Sequence, residues 1–124
     1  MSDALLYAGS IIITLWGIAH VIPTKNVVTG FGQISEENKR IITMEWIAEG
    51  LTLCFLGLLV LLVTILEGPQ DHVSLIVYRA SAGMLVVMAG LTALTGARTS
   101  IVPIKICPIV KLIVAILFIL GGVL

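Results

Sequence analysis

Residues 51–66 read LTLCFLGLLVLLVTIL, an apolar run that contains no charged side chain. In the whole chain only 11% of the residues are charged and 59% are hydrophobic, whereas a soluble domain is roughly 25% charged and about 45–50% apolar. A chain of 124 residues cannot bury that excess, because a small domain keeps much of its surface exposed. The outer face of the protein is therefore expected to contact lipid.

Four segments have the length that crossing a bilayer requires, which is roughly 20 mostly apolar residues. They cover approximately residues 5–22, 41–66, 73–97 and 104–124. The short connections between consecutive spans favour an up-down arrangement. The sequence thus predicts an all-α fold, a four-helix transmembrane bundle that forms a single domain.

The second helix is expected to begin before its apolar run, near Ser35. A serine is a favourable N-cap residue, and Glu36 and Glu37 that follow it suit the positive end of a helix. A helix from that point to the end of the span has about 30 residues and is about 45 Å long. Its first turns should therefore lie in or above the lipid headgroups.

The distribution of Lys and Arg predicts the orientation of the bundle. The connection 23–40 contains Lys25, Lys39 and Arg40, and the third connection contains Arg98 and Lys105. The second connection, EGPQDH, and both termini contain neither residue type. By the positive-inside rule, the first and third connections are expected to lie in the cytoplasm and both termini outside, in the cytoplasmic membrane of a prokaryote.

Several functional classes are disfavoured by composition and motifs. The net charge is zero, which argues against electrostatic binding of nucleic acid. The sequence has no haem motif such as C-x-x-C-H, no zinc-like spacing and no catalytic set of nucleophile, base and orienting group. We therefore predict no catalytic residues and no metal site, and we expect Cys54 and Cys107 to be reduced.

Ionisable side chains inside the spans carry the main functional signal, because each costs about 2.5–3.5 kcal/mol on insertion scales. The predicted topology brings most of them to one end of the bundle, and the candidate ligand-binding residues there are His20, Glu45, Trp46, Glu49 and Lys111. Two readings stay open. The cluster either forms a pocket for a headgroup, a quinone-like ring or a proton, or it forms buried ion pairs that fix the helix register while lysines extend towards the interface.

Near the opposite end we predict a structural ion pair between Arg79 and Glu67.

Small residues recur along the third span. Ala89, Ala93 and Ala97 are spaced by four residues, and Gly83 and Gly90 lie nearby. Such residues allow close approach of helices in lipid, so we interpret them as helix-packing positions.

The segments WGIAHVIP, at the end of the first span, and AEGLTLCFLGLLVLL, in the second, resemble the DoxX-like group of small four-helix membrane proteins. The positions that carry the resemblance are Gly17, His20, Glu49 and Gly57. The resemblance covers the first half of the chain, and the long connection 23–40 departs from it. It implies a four-helix membrane fold and a link to quinone or sulfur redox chemistry.

Three functions are compatible with these features. The first is a non-catalytic, accessory subunit of a larger membrane complex, such as a respiratory or other redox complex, with a protein partner or further copies of the chain. The second is a protein that binds a quinone or a lipid at His20, Glu45 and Glu49. The third is an oligomeric pathway for protons or small ions, which requires polar residues through the full thickness of the membrane.

Overall fold

The computed structural model describes residues 2–124 and shows no β-strand among them. Its elements are α1 (Ser2–Val21), α2 (Thr24–Thr29), α3 (Glu36–Leu66), α4 (His72–Leu94), a 3-10 turn (Gly96–Arg98) and α5 (Val102–Val123). Four of the helices are long and apolar enough to cross a membrane. The prediction of an all-α, four-helix transmembrane bundle is confirmed. The short helix α2, within the connection 23–40, was not predicted.

Local sequence signals explain where these helices begin and end. The Ser35 side chain accepts a hydrogen bond from the Asn38 backbone amide, at 3.1 Å, which confirms the predicted start of the second span. Helix α3 is consequently 31 residues long. At the start of α4 the Asp71 carboxylate accepts hydrogen bonds from the amides of Val73 and Ser74. These caps satisfy amide groups that have no partner within the helix.

Helix α1 packs against α3 and α5, and α4 packs against α5 and α3, so consecutive spans are neighbours as an up-down bundle requires. The hydrophobic core consists of Leu6, Ile13, Leu53, Leu56, Val60, Tyr78, Ala82, Leu85, Val114, Ala115 and Phe118. Large apolar side chains such as Phe55 and Leu62 are exposed on the outer faces. That distribution fits a protein whose surroundings are lipid.

Glycines allow α1 and α3 to approach closely. A methyl group added at Gly50 would lie 2.9 Å from the carbonyl oxygen of Gly17, and one added at Gly57 would lie 2.8 Å from that of Ser10. By contrast, a methyl group added at Gly83 or Gly90 would have no neighbour within 4 Å. The close packing by glycine therefore lies between α1 and α3. The interpretation of Gly83 and Gly90 as packing positions within this chain is wrong.

The three alanines that were predicted to pack along the third span also differ in their burial. Ala89 is buried, Ala93 is exposed, and Ala97 lies beyond the end of α4 in the 3-10 turn. Of the three alanines, only Ala89 is fully buried within the bundle.

Two polar side chains inside the bundle, Thr64 and Tyr78, contact each other. The Thr64 hydroxyl donates to the carbonyl of Val60, and its oxygen lies 2.7 Å from the Tyr78 hydroxyl. Since the Thr64 hydrogen is used by the backbone, Tyr78 is the donor of the second hydrogen bond. Both residues are buried, so each needs its partner.

Two substitutions test that hydrogen bond. Tyr78→Phe removes a donor but leaves Thr64 bonded to Val60, so we expect a loss of about 0.6 kcal/mol in the free energy of unfolding, as is usual between membrane helices. Thr64→Val leaves the buried Tyr78 hydroxyl without its acceptor, and we expect a larger loss of about 1–3 kcal/mol. Unfolding of the two variants in mixed micelles measures both. An equal effect of the two would contradict the assigned donor direction.

Candidate functional site

Four polar side chains from all four spanning helices meet at one end of the bundle. The Lys111 ammonium of α5 lies 2.6 Å from Oε1 of Glu49 in α3 and donates to the Thr92 hydroxyl of α4 at 2.8 Å. The other carboxylate oxygen, Oε2, lies 3.0 Å from Nε2 of His20 in α1. We call these four residues the Glu49 cluster.

Charge balance explains why this cluster is tolerated at membrane depth. The side chain of Lys111 is 0% exposed and that of Glu49 is 30% exposed, so their charges are largely removed from water. A buried charge is costly unless it is paired and hydrogen-bonded. One carboxylate and one ammonium cancel, so the cluster has no net charge when His20 is neutral.

The Trp46 ring holds His20 in place. The imidazole stacks on Trp46, with ring centroids 4.0 Å apart and an interplanar angle of 16°. The Trp46 indole also donates to the backbone carbonyl of His20 at 2.6 Å. These two contacts link the last turn of α1 to the first half of α3.

A cavity of about 410 Å³ opens beside the cluster. We call it the tryptophan cavity, because Trp16 and Trp46 both line it. The residues on its wall are Trp16, Ala19, His20, Pro23, Trp46, Glu49, Leu91, Thr92, Thr95, Gly96, Pro103, Ile104 and Cys107. Its volume lies within the range of about 300–1,000 Å³ that is usual for small-molecule sites. Its composition, mostly apolar with a few convergent polar groups, is also that of a ligand site.

His20 is a polar residue on this wall that is held by the Glu49 carboxylate. Its side chain is only 9% exposed, and Nε2 is buried at 3.0 Å from Oε2 of Glu49. A buried polar atom needs a partner, and the carboxylate is the partner that the structure gives to Nε2.

The other polar groups on the wall are already bonded within the protein. The Trp16 indole donates to the Cys107 sulfur at 3.3 Å. Thr92 donates to the carbonyl of Met88, and Thr95 donates to that of Leu91. The tryptophan cavity therefore offers a molecule inside it chiefly His20 and the Glu49 carboxylate.

The structure brings four of the predicted site residues together and places Glu45 beside them. His20, Trp46, Glu49 and Lys111 belong to the cluster or to the cavity wall. Glu45 is exposed and does not line the tryptophan cavity, but it lies with Trp46 and Glu49 in a second groove between α3 and α4. The interpretation of Lys111 as a lysine that extends to the interface is wrong, because its side chain turns inward to Glu49 and is fully buried.

The predicted ion pair between Arg79 and Glu67 is not formed among residues 2–124. Arg79 lies eight residues after Asp71, the N-cap of α4, which places it about 12 Å along the helix axis. Glu67 instead follows the last turn of α3, and both side chains are exposed. The axial offset and the outward orientation keep the two charges apart.

Among the polar and aromatic residues of the site, the sequence did not identify Trp16, Thr92, Thr95 and Cys107. The spacing of four between Trp16 and His20 puts both on one face of α1, and that signal could have identified Trp16. Thr92 and Cys107 carry no comparable signal, because only the packing of α4 and α5 brings them to the cavity.

Among residues 2–124 no group of three or more His, Cys, Asp or Glu side chains is arranged to hold a metal ion. Cys54 and Cys107 are free thiols. Cys54 lies next to the carbonyl of Thr14, at 3.5 Å, so both cysteines make local contacts between helices.

The chain matches no family model, no curated protein and no solved structure. The resemblance to DoxX-like proteins therefore remains a prediction from the residues quoted above.

Proposed function

We propose that this membrane protein binds a small lipid-soluble molecule with a flat, polar head group, of the quinone class, in the tryptophan cavity. The observation that carries the proposal is a ligand-sized, mainly apolar cavity on whose wall His20 and Glu49 lie with both tryptophans. A ligand carbonyl would supply an acceptor for an imidazole N–H. A ligand hydroxyl could instead donate to the adjacent Glu49 carboxylate.

The walls of the cavity also suit an aromatic ring. The indoles of Trp16 and Trp46 provide flat surfaces, and aromatic pairs contribute about 0.5–1.5 kcal/mol beyond the area that they bury. The depth is suitable as well. Glu49 lies 17 residues before Leu66, the last residue of α3, or about 25 Å along the axis in a hydrocarbon layer about 30 Å thick. A molecule dissolved in the bilayer can reach this level.

The other two functions have less support. The exposed apolar faces that suggested an accessory subunit are also what contact with lipid requires, so they do not favour a protein partner. An ion pathway would have to cross the hydrophobic core, in which Ile13, Leu53, Leu85 and Val114 are fully buried. We retain the cytoplasmic side of a prokaryotic membrane as the expected location of the Glu49 cluster, from the Lys and Arg distribution.

Tryptophan fluorescence tests the proposal directly, because both tryptophans of the chain line the cavity. We expect decylubiquinone to quench the emission of the protein in micelles with saturation. His20→Phe keeps a ring against Trp46 but removes the polar atoms, and should weaken binding by about tenfold, the equivalent of one hydrogen bond. Thr95 lies at the exposed rim of the cavity and forms no ion pair. Thr95→Phe should therefore weaken binding because the larger side chain narrows the cavity.

The chain offers a matched control in His72, its other histidine, which is exposed at the start of α4. His72→Phe should leave the affinity unchanged. Linear quenching without saturation, or equal affinity of the wild type and the His20 and His72 variants, would indicate partitioning into the micelle and would refute the proposed site.

A further inference from the structure

A second cavity, of about 510 Å³, lies where the short helix α2 meets the first turns of α3. We call it the lysine cavity. It is lined by Ile22, Thr24, Lys25, Val28, Thr29, Gly32, Lys39 and Thr43. It shares no residue with the tryptophan cavity, so an inference about it does not depend on the function proposed above.

The depth of the lysine cavity corresponds to the lipid headgroups. Lys39 and Thr43 lie 27 and 23 residues before Leu66, which places them about 40 Å and 35 Å along the helix axis. The hydrocarbon layer is about 30 Å thick, and the bilayer with its headgroups is about 40–45 Å thick. These two residues of the wall therefore lie at the level of the phosphates of one leaflet.

The charge of this cavity is positive. Lys25 is exposed and forms no ion pair among residues 2–124. Lys39 is 41% exposed and lies 3.4 Å from Glu36, which is itself 78% exposed. Such exposed pairs contribute little, about 0–1 kcal/mol, so Lys39 can turn to a stronger anionic partner.

The threonines of the wall add acceptors rather than donors. The hydroxyls of Thr24, Thr29 and Thr43 donate to the backbone carbonyls of Val21, Lys25 and Lys39 respectively. Their oxygens are left with lone pairs that a hydroxylated ligand could use. Ile22, which is 77% exposed, provides an apolar edge beside them.

We propose that the lysine cavity binds an anionic phospholipid whose head group carries hydroxyls, of the phosphatidylglycerol type. The phosphate lies between Lys25 and Lys39, the head-group hydroxyls donate to the threonine oxygens, and an acyl chain passes over Ile22. Basic pockets at the membrane boundary are known to bind anionic head groups. A free phosphate ester shares the phosphate chemistry but has no acyl chain to contact Ile22.

Native mass spectrometry of the full chain tests this site. The protein is equilibrated in vesicles of phosphatidylcholine with a minor fraction of phosphatidylglycerol, and the lipid that remains bound is identified. We expect one phosphatidylglycerol per wild-type chain. Each lysine near an anionic lipid contributes a factor of about five, so Lys25→Gln should weaken retention about fivefold, and Lys25→Gln with Lys39→Gln about 30-fold.

Arg40 is the matched control, because it is an exposed cation next to Lys39 that does not line the cavity. Arg40→Gln should change retention less than twofold. An equal loss in Arg40→Gln and Lys25→Gln would show a general effect of charge and would overturn the proposal. Displacement of the lipid by millimolar glycerol phosphate would also overturn it, since the site would then take a soluble phosphate ester. The single variant Lys25→Gln, which breaks no ion pair, keeps the test valid if the double variant does not fold.

Discussion

Replacing Glu49 by glutamine is expected to lower the free energy of unfolding by about 3–5 kcal/mol, the usual cost of removing one partner of a buried ion pair. The reason is the position of Lys111, whose fully buried ammonium has Glu49 as its only anionic partner among residues 2–124. Glutamine keeps the shape of the Glu49 side chain but leaves the positive charge of Lys111 without an anionic partner. Unfolding in mixed micelles, followed by the emission of Trp16 and Trp46, measures the loss.

Two further variants separate the ion pair from other effects of the substitution. Glu45→Gln makes the same chemical change one turn away at an exposed residue that forms no ion pair among the described residues, and should cost less than about 0.5 kcal/mol. Glu49→Gln combined with Lys111→Met removes both charges and should recover most of the lost stability. A double variant as unstable as the single one would show that the uncompensated charge is not the cause.

A comparison of Glu49→Gln with His20→Phe distinguishes the structural role of Glu49 from a role in ligand binding. The Glu49–Lys111 pair joins α3 to α5 and explains why a carboxylate lies at this depth without any ligand. His20→Phe keeps a ring against Trp46 and leaves Lys111 paired with Glu49, so it removes no partner of the buried ammonium. We therefore expect Glu49→Gln to affect chiefly stability and His20→Phe to affect chiefly ligand affinity.

Much of the fold could be predicted because its signals are local in sequence. The spans follow from length and hydropathy, and the start of α3 follows from the capping side chain of Ser35. The proximity of His20 and Glu49 follows from the predicted topology, because both lie at the same end of neighbouring spans.

The topology placed Lys111 at the same end of the bundle as Glu49, as one of two cations that could pair with it, but the sequence did not decide whether the pair forms. Lys111 is 62 residues away, and only the rotation of α5 about its own axis determines whether its side chain faces α3 or the lipid. The same uncertainty about rotation explains why Arg79 and Gly83, both on α4, were assigned to contacts that they do not make. Helix rotation is weakly encoded here, since apolar residues occupy every face of a helix that is surrounded by lipid and by other helices.

The second large effect is expected at the contact between α1 and α3. Gly50→Leu should lower the free energy of unfolding by about 3 kcal/mol or more, because an overpacked interior must move backbone as well as side chains. The first added carbon would already lie 2.9 Å from the Gly17 carbonyl oxygen and 3.5 Å from the His20 ring. The substitution should therefore separate the helices and shift His20 away from Glu49, so ligand affinity in the fluorescence assay should fall as well.

Gly83→Leu is the matched control, because it makes the same change in α4, where an added methyl group has no neighbour within 4 Å. It should leave the ligand affinity unchanged and stabilise the helix by up to about 1 kcal/mol, the propensity difference between the two residues. If Gly83→Leu were instead as destabilising as Gly50→Leu, Gly83 would have to pack against something outside this chain. That result would favour a protein partner or a second copy of the chain on the exposed face of α4. It would support the predicted role as an accessory subunit or oligomer, which the exposed apolar surface alone does not support.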